Sequence, residues 1–122
     1  MKKIIKIPTF SNSRGSLSVI EKLLNFSIKR VYFLHNLNLK KSRGKHKHKK
    51  NIQFLVCLNG KIQIDIKNKK ENFYKKFTLS SPKKGILLLP EDWHEIIPKT
   101  KKAVVIVLAS EYYSEKDYIR DF

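Results

Sequence analysis

The chain has 122 residues, 41% of them hydrophobic and 11% aromatic, and 27 basic against 10 acidic side chains give a net charge of +17. That length buries one core and is short for two, so a single domain over 1–122 is expected, the composition excludes a disordered chain, and no apolar run nears the roughly 20 residues of a membrane span. The positive field attracts polyanions, but it is spread over lysines, with arginine scarce, and reads as a solvated surface rather than a nucleic-acid face.

Strand signals dominate along the chain. The opening Met1 to Pro8 is basic, with an apolar run too short and broken for a secretory leader. Val19 to Asn25 reads as one short helical turn. Ile28-Lys29-Arg30 leads into Val31-Tyr32-Phe33-Leu34, a β-branched and aromatic run. The segment from Arg43 to His48 is expected to be extended, which puts His46 and His48 on one face and Lys47 on the other. Ile52 to Leu58 is a further strand, ending at Asn59-Gly60, a pair suited to a tight hairpin turn. The return strand Lys61 to Ile66 alternates, with Ile62, Ile64 and Ile66 inward. Lys67 to Asn72 reads as a loop, Phe73 to Leu79 as a short strand, and Ser80 to Gly85 as a turn. Ile86-Leu87-Leu88-Leu89 fits a strand buried on both faces, broken by Pro90 to His94. Ala103 to Leu108 is the last core strand, and Ser114 to Tyr118 another short helical turn. The sole cysteine, Cys57, reads as a small buried hydrophobe, so no internal disulfide forms and a cytoplasmic setting is expected. Short strands with regularly spaced turns predict an all-β sandwich or barrel of the jelly-roll type.

His46 and His48 carry the most chemistry. Imidazole transfers protons near neutral pH and is also the commonest transition-metal ligand. Gly44, His46, His48, Gln53 and Gly60, followed by Gly85, Pro90, Trp93 and His94, resemble the two-part pattern of the cupins. In metal-binding cupins an acid completes a site with three histidines. Gln53 stands at that position and is a poor ligand for a divalent ion. Three histidines and a water suffice for zinc, yet Lys45, Lys47 and Lys49 alternate with the histidines and no carboxylate is seen to balance a dication. No metal is expected.

A narrower resemblance runs nearly end to end. It is carried by Ser13-Arg14-Gly15-Ser16-Leu17 with Glu21, by Ile28 to Tyr32, and by Arg43-Gly44 with His46, His48 and Lys49. It continues through Leu55 to Gly60, Trp93-His94-Glu95, Val107 to Ser110, Tyr113, and Asp117 to Arg120. Together these resemble the dTDP-4-keto-6-deoxyglucose 3,4-ketoisomerases, cupin enzymes of deoxyamino-sugar biosynthesis. Lys47 between the histidines and Lys67-Asn68-Lys69 at a hairpin end depart from that pattern. The resemblance implies a cupin jelly-roll β-barrel and a dTDP-linked 4-keto-6-deoxy sugar as substrate. It implies no metal, nicotinamide or flavin, and a homodimer, with strand exchange between subunits as one form of it. No nucleic-acid or membrane partner is expected.

Moving a ketone from carbon 4 to carbon 3 requires a base near pH 7, a group that moves protons between oxygens, and donors for the developing enolate. His46 is the expected base, with Tyr32 and His48 as candidates for the oxygen protons; Tyr32 fits core packing equally well. Arg14, Arg43 and His94 are candidates for the sugar end, with Lys49 and Gln53 beside them. Arg30 has two candidate partners, a phosphate or Glu21, and Trp93 has two candidate roles, the base or sugar and the core. Arg14 and His94 together favour a galacto-configured product over a gluco one. The lysines are expected to keep the imidazoles neutral. Asp117 to Arg120 reads as an element that docks the chain's end, and no histidine–aspartate pair of the kind a 3,5-epimerase uses is apparent. The product is expected to feed an aminotransferase and an acyltransferase on the way to a surface glycan. The competing readings are a non-catalytic basic cupin that grips nucleic acid or acidic glycan, and a metal-dependent cupin enzyme.

Overall fold

The computed structural model describes residues 2–122. Two five-stranded sheets face each other, and every pairing in them is antiparallel. The first sheet runs in the order β1 (Ile4–Lys6), β9 (Lys84–Leu88), β6 (Gln53–Asn59), β11 (Val104–Ala109), β4 (Arg30–Leu34). The second runs β12 (Tyr118–Ile119), β5 (Arg43–His48), β10 (Trp93–Pro98), β7 (Ile62–Asn68), β8 (Phe73–Leu79). A separate hairpin joins β2 (Thr9–Asn12) to β3 (Gly15–Ser18).

The core between the sheets follows from strand periodicity. Along β7, Ile62, Ile64 and Ile66 are fully buried while Gln63, Asp65 and Lys67 are only partly so. They pack against Leu55 and Cys57 of β6, Ile86 and Leu88 of β9, and Val105 and Val107 of β11. Each such aliphatic side chain contributes about 1.5–3 kcal/mol through its removal from water. The first sheet is covered on its other face too. There Phe54, Val56 and Leu108 lie under Ile20, Leu23, Leu24 and Phe26. This explains the unbroken burial from Gln53 to Cys57 along β6, and it corrects one expectation: 19–25 forms no helical turn but an irregular apolar cover. Gly85 allows β9 to press against β6, since a Cβ there would stand 2.4 Å from Phe54 Cζ and 2.7 Å from the Leu55 carbonyl oxygen.

A second correction concerns Asn59-Gly60. β6 and β7 lie in different sheets, so the turn is a corner between sheets and not a hairpin. Gly60, at φ +75°, is packed where a Cβ would meet Thr100 and Ala103, and Thr100 Oγ1 accepts the Lys61 N–H at 3.0 Å. The sequence pattern also missed β1, β2, β3, β10 and β12. β10 was hidden because it opens three residues after Pro90, carries Glu95, and ends on Pro98, although His94, Ile96 and Pro98 alternate inward. Near the chain's end the expected turn is present as a 3-10 turn, Glu115–Asp117. Cys57 is buried, as expected. Among the described residues, no helix is long and apolar enough to cross a membrane.

Candidate active site

The site is built where β5 passes β10. Pairing sets His94 opposite His46, and the register then jumps, so that Glu95 faces Gly44 and Lys45 is the extra residue of a bulge. Gly44 (φ +94°) and Lys45 (φ +60°) make that bulge possible, and a Cβ on Gly44 would come within 2.9 Å of the His94 carbonyl oxygen. Beyond the bulge, strand alternation brings His48 to the same face as His46. Ring centroids are 5.0 Å apart for His46 and His48, 4.9 Å for His46 and His94, and 6.2 Å for His48 and His94. Tyr118, which β12 pairs with His48, lies 4.8 Å from the His46 ring and 4.7 Å from that of His48.

Two of the three rings are held by their far nitrogens. His94 Nδ1–H donates to the Asp92 carbonyl at 3.1 Å. Asp92 is itself buried and accepts hydrogen bonds from Lys3, from Asn68 Nδ2 at 2.9 Å and from the Leu89 N–H at 2.8 Å, which fixes the turn ahead of β10. His48 Nδ1–H donates to Asp117 Oδ2 at 2.9 Å. A histidine–aspartate pair is therefore present, contrary to expectation, and it joins residues 69 positions apart.

Burial sets the electrostatics. It lowers the His46 pKa to about 4, with the adjacent His48 as the second cause, and lowers that of His94 to about 3, with His46 as the second cause. His48 is lowered by burial as well, against the opposing pull of Asp117. The cluster is neutral at pH 7. The lysines expected to do this are turned elsewhere, Lys47 to Glu91 at 3.3 Å and Lys45 towards Glu95 at 4.0 Å.

A cavity of about 150 Å³ opens against the cluster. This lies below the roughly 300–1,000 Å³ of sites that enclose a whole small ligand, so it fits the reacting end of a larger one. His46, His94 and Arg43 line one side, with Arg30, Tyr32 and Gln53 across from them. Gln53 Nε2 donates to Tyr32 Oη at 2.7 Å, which leaves the phenol hydrogen free for a ligand. Burial pushes the Tyr32 pKa up to about 12, so that hydrogen stays in place at neutral pH. The Arg30 guanidinium lies 4.7 Å from the Tyr32 ring centroid and has a buried Nε without a partner. Neutral imidazoles thus oppose a phenol donor and two guanidiniums, an arrangement suited to taking a proton from carbon while an adjacent oxygen gains charge.

Of the residues singled out in the sequence, Tyr32, Arg30, Arg43, His46, Gln53 and His94 meet at this cavity, with His48 against His46. Arg14 does not; it stands at the exposed tip of the β2–β3 hairpin. Lys49, one position past His48, faces a different surface depression with Lys50 and Tyr112. Trp93 neighbours His94 and so takes the other face of β10, packing 5.9 Å from Phe122. Asp92, Asp117 and Tyr118 were missed as site residues. No local pattern announces them, although Asp117 and Tyr118 belong to the closing segment that carried the resemblance.

One nitrogen from each histidine can be chosen so that all lie within 4.8 Å of one another. Zn–N bonds of about 2.1 Å in a tetrahedron hold nitrogens about 3.4 Å apart. The widest of these separations exceeds that of a tetrahedral zinc site.

The family described as FdtA: WxcM-like, C-terminal matches residues 1–122. The TDP-4-oxo-6-deoxy-alpha-D-glucose-3,4-oxoisomerase of Aneurinibacillus thermoaerophilus is 43% identical over 122 residues, covering 98% of this chain and 86% of that protein. The crystal structure of a histidine-to-asparagine mutant of the 3,4-ketoisomerase QdtA from Thermoanaerobacterium thermosaccharolyticum, in complex with TDP-4-keto-6-deoxyglucose, superposes with a TM-score of 0.91 at 38% identity, covering 97% of this chain and 86% of that one. The WlaRB TDP-quinovose 3,4-ketoisomerase of Campylobacter jejuni gives a TM-score of 0.91 at 32% identity, covering 98% and 92%.

Proposed function

The chain belongs to the FdtA family, the dTDP-4-keto-6-deoxyglucose 3,4-ketoisomerases of cupin fold, and from that premise we propose how its residues move the ketone. It is a sugar-nucleotide 3,4-ketoisomerase acting on a TDP-linked 4-keto-6-deoxy sugar. A histidine of the β5 pair takes the hydrogen of carbon 3 as a proton, and oxygen 4 gains a proton, giving the enediol. Oxygen 3 then loses its proton to become the new ketone as carbon 4 receives one. No proton is consumed overall. Tyr32 donates to the oxygen that gains charge, and Arg30 and Arg43 supply the positive field around it. The observation that carries this reading is the neutral histidine cluster facing a protonated phenol across one cavity.

The assembly is a homodimer. The β2–β3 hairpin exposes the cross-strand pair Phe10 and Leu17, 64% and 63% accessible, and the edge strand β4 exposes Val31 and Phe33, 53% and 61% accessible. Apolar surface of this kind is covered by exchange of the hairpin between subunits. Arg14 then reaches the partner's cavity, where with His94 it favours reprotonation to the galacto product. The enzyme works in the cytoplasm, where a lone buried thiol such as Cys57 stays reduced. Its 3-keto product suits an aminotransferase, then an acyltransferase, in the assembly of a surface glycan.

The test is incubation with TDP-4-keto-6-deoxyglucose in deuterated water. Proton and carbon NMR should show deuterium at carbons 3 and 4 together with the 3-keto product. An unlabelled, unchanged substrate after hours at micromolar enzyme would refute the reading.

A further inference from the structure

The turn between β9 and β10 is held by a buried polar unit that lies outside the reacting cavity. Asp92 is 1% accessible and Lys3, just ahead of β1, is 7% accessible, and the two form an ion pair. Asn68, at the end of β7, completes the unit. Its Nδ2 donates to Asp92 Oδ1 at 2.9 Å while its own Oδ1 accepts the Glu71 N–H at 3.0 Å, which fixes the orientation of the amide. Lys3 leads into the first sheet and Asn68 closes a strand of the second, so one carboxylate ties both layers to the turn. A buried ion pair gives little net stability, because desolvation of two charges offsets their attraction, yet removing one partner strands the other. A second cavity, of about 160 Å³, is lined by Lys3, Asn68, Leu89 and Asp92 and shares no residue with the cavity at the histidines. It gives the turn room to move once its anchor is cut.

The last carbonyl of that turn, on Asp92, accepts the Nδ1–H of His94 at 3.1 Å. A neutral ring that donates from Nδ1 keeps Nε2 bare, so the nitrogen that His94 has left for a ligand at the cavity is an acceptor. Building on the ketoisomerase reading, we propose that Lys3, Asn68 and Asp92 are positioning residues: by fixing the turn they hold His94 as the tautomer with Nδ1 protonated, so that it meets the sugar as a hydrogen-bond acceptor through Nε2. An acceptor there takes a hydrogen bond from a sugar hydroxyl and so orients the sugar ring against His46, whose centroid is 4.9 Å from that of His94. The opposite tautomer would present a donor and lose that orientation. The unit touches neither the cavity nor the sugar; it acts through the turn alone. His48 shares the turn through its main chain, where its N–H donates to the Pro90 carbonyl at 2.9 Å, but its ring is held by Asp117. The tautomer of His48 is therefore set separately.

The experiment compares the native chain with Lys3→Met and Asn68→Ala. Methionine keeps most of the lysine's volume but leaves the Asp92 carboxylate buried without its cation, which the turn relieves by opening towards water. Asn68→Ala removes a neutral hydrogen bond and keeps the ion pair, and it is the milder change should Lys3→Met not fold. Nitrogen-15 NMR of histidine-labelled protein reads each ring. His94 should show one form, protonated at Nδ1, in the native chain and a mixture of both tautomers in either variant, while His48 keeps its native form throughout. With TDP-4-keto-6-deoxyglucose, kcat should fall by about tenfold or more in Lys3→Met and about threefold in Asn68→Ala, with KM within about threefold in both. A native His94 tautomer in whichever variants fold, or mixed tautomers with native kcat, overturns the proposal. A loss of kcat with the His94 tautomer unchanged overturns it too, since the unit would then be merely structural. Should the native chain fail to turn over the sugar at all, the ketoisomerase reading falls, while the tautomer series still decides whether the unit positions His94.

Discussion

Gly44→Ala is the sharpest test of how the fold makes the site. Gly44 sits at φ +94°, a region costly to any residue with a Cβ, and holding alanine there costs about 1–3 kcal/mol. The added methyl would also meet the His94 carbonyl oxygen at 2.9 Å. That atom is backbone in the centre of a sheet, so it yields only by moving β10, at a further cost of about 1–3 kcal/mol. The combined loss is about 2–6 kcal/mol. With an unfolding entropy of about 2.1 cal/mol/K per residue, a 122-residue chain should lose about 8–23 °C in Tm. Gly15→Ala is the internal control, because Gly15 has φ +131° but nothing within 4 Å of its would-be Cβ. It incurs the backbone strain alone. Melting followed by circular dichroism measures both, and turnover of TDP-4-keto-6-deoxyglucose measures the site. Because the bulge at Gly44 sets His46 against His94, turnover of Gly44→Ala should drop at least tenfold at a temperature where it remains folded. A Gly44→Ala protein that melts with or above Gly15→Ala and keeps native turnover would show that the bulge does not set the histidine geometry.

Tyr32→Phe removes the donor across the cavity and the partner of Gln53 Nε2. Steady-state kinetics should show kcat down about 10²–10⁴-fold with little change in KM, alongside a stability loss of about 1 kcal/mol by denaturant titration; native kcat would remove Tyr32 from the proton transfers. The buried histidines predict a pH-dependent stability. His46 and His94 take up protons in the unfolded chain near pH 6.5 but in the native one only near 4 and 3, so stability is greatest above pH 6.5 and declines as pH falls through that window. Urea titrations between pH 7.5 and 5 should show a decline on the order of 4 kcal/mol, about 2 from each histidine, and a flat profile there would contradict neutral burial of the cluster. If the proposed dimer forms through the β2–β3 hairpin, Phe10→Glu combined with Leu17→Glu should lower the mass seen by light scattering at micromolar concentration from dimer to monomer, and an unchanged dimer mass would exclude the hairpin from the interface.

The strands that form the core were legible in the sequence because their signal is local. Ile62, Ile64 and Ile66 alternate, the Ile86 to Leu89 run is apolar throughout, and both patterns report burial directly. His46 and His48 were legible for the same reason, since period two puts them on one face. Arg14 and His94, by contrast, were both expected at the sugar end and lie apart within the chain. Asn59-Gly60 has the composition of a hairpin turn, yet the partner of each flanking strand is chosen by packing of whole sheets, and β6 and β7 go to different ones. The neutrality of the histidines was anticipated, but its cause was assigned to lysines when burial is the larger effect.

What the sequence determined by itself was therefore most of the core strands, though not β10, the paired imidazoles, and the family through residues in fixed order. Tertiary structure alone decided that Lys3 and Asn68 would hold the Asp92 side chain ahead of His94, that Asp117 would hold His48 across 69 positions, and that a bulge at Gly44 would bring His94 level with His46. The physical reason is range. Periodicity and turn chemistry act over a few residues, whereas a hydrogen bond between remote residues exists only once the sheets have packed and excluded water from it.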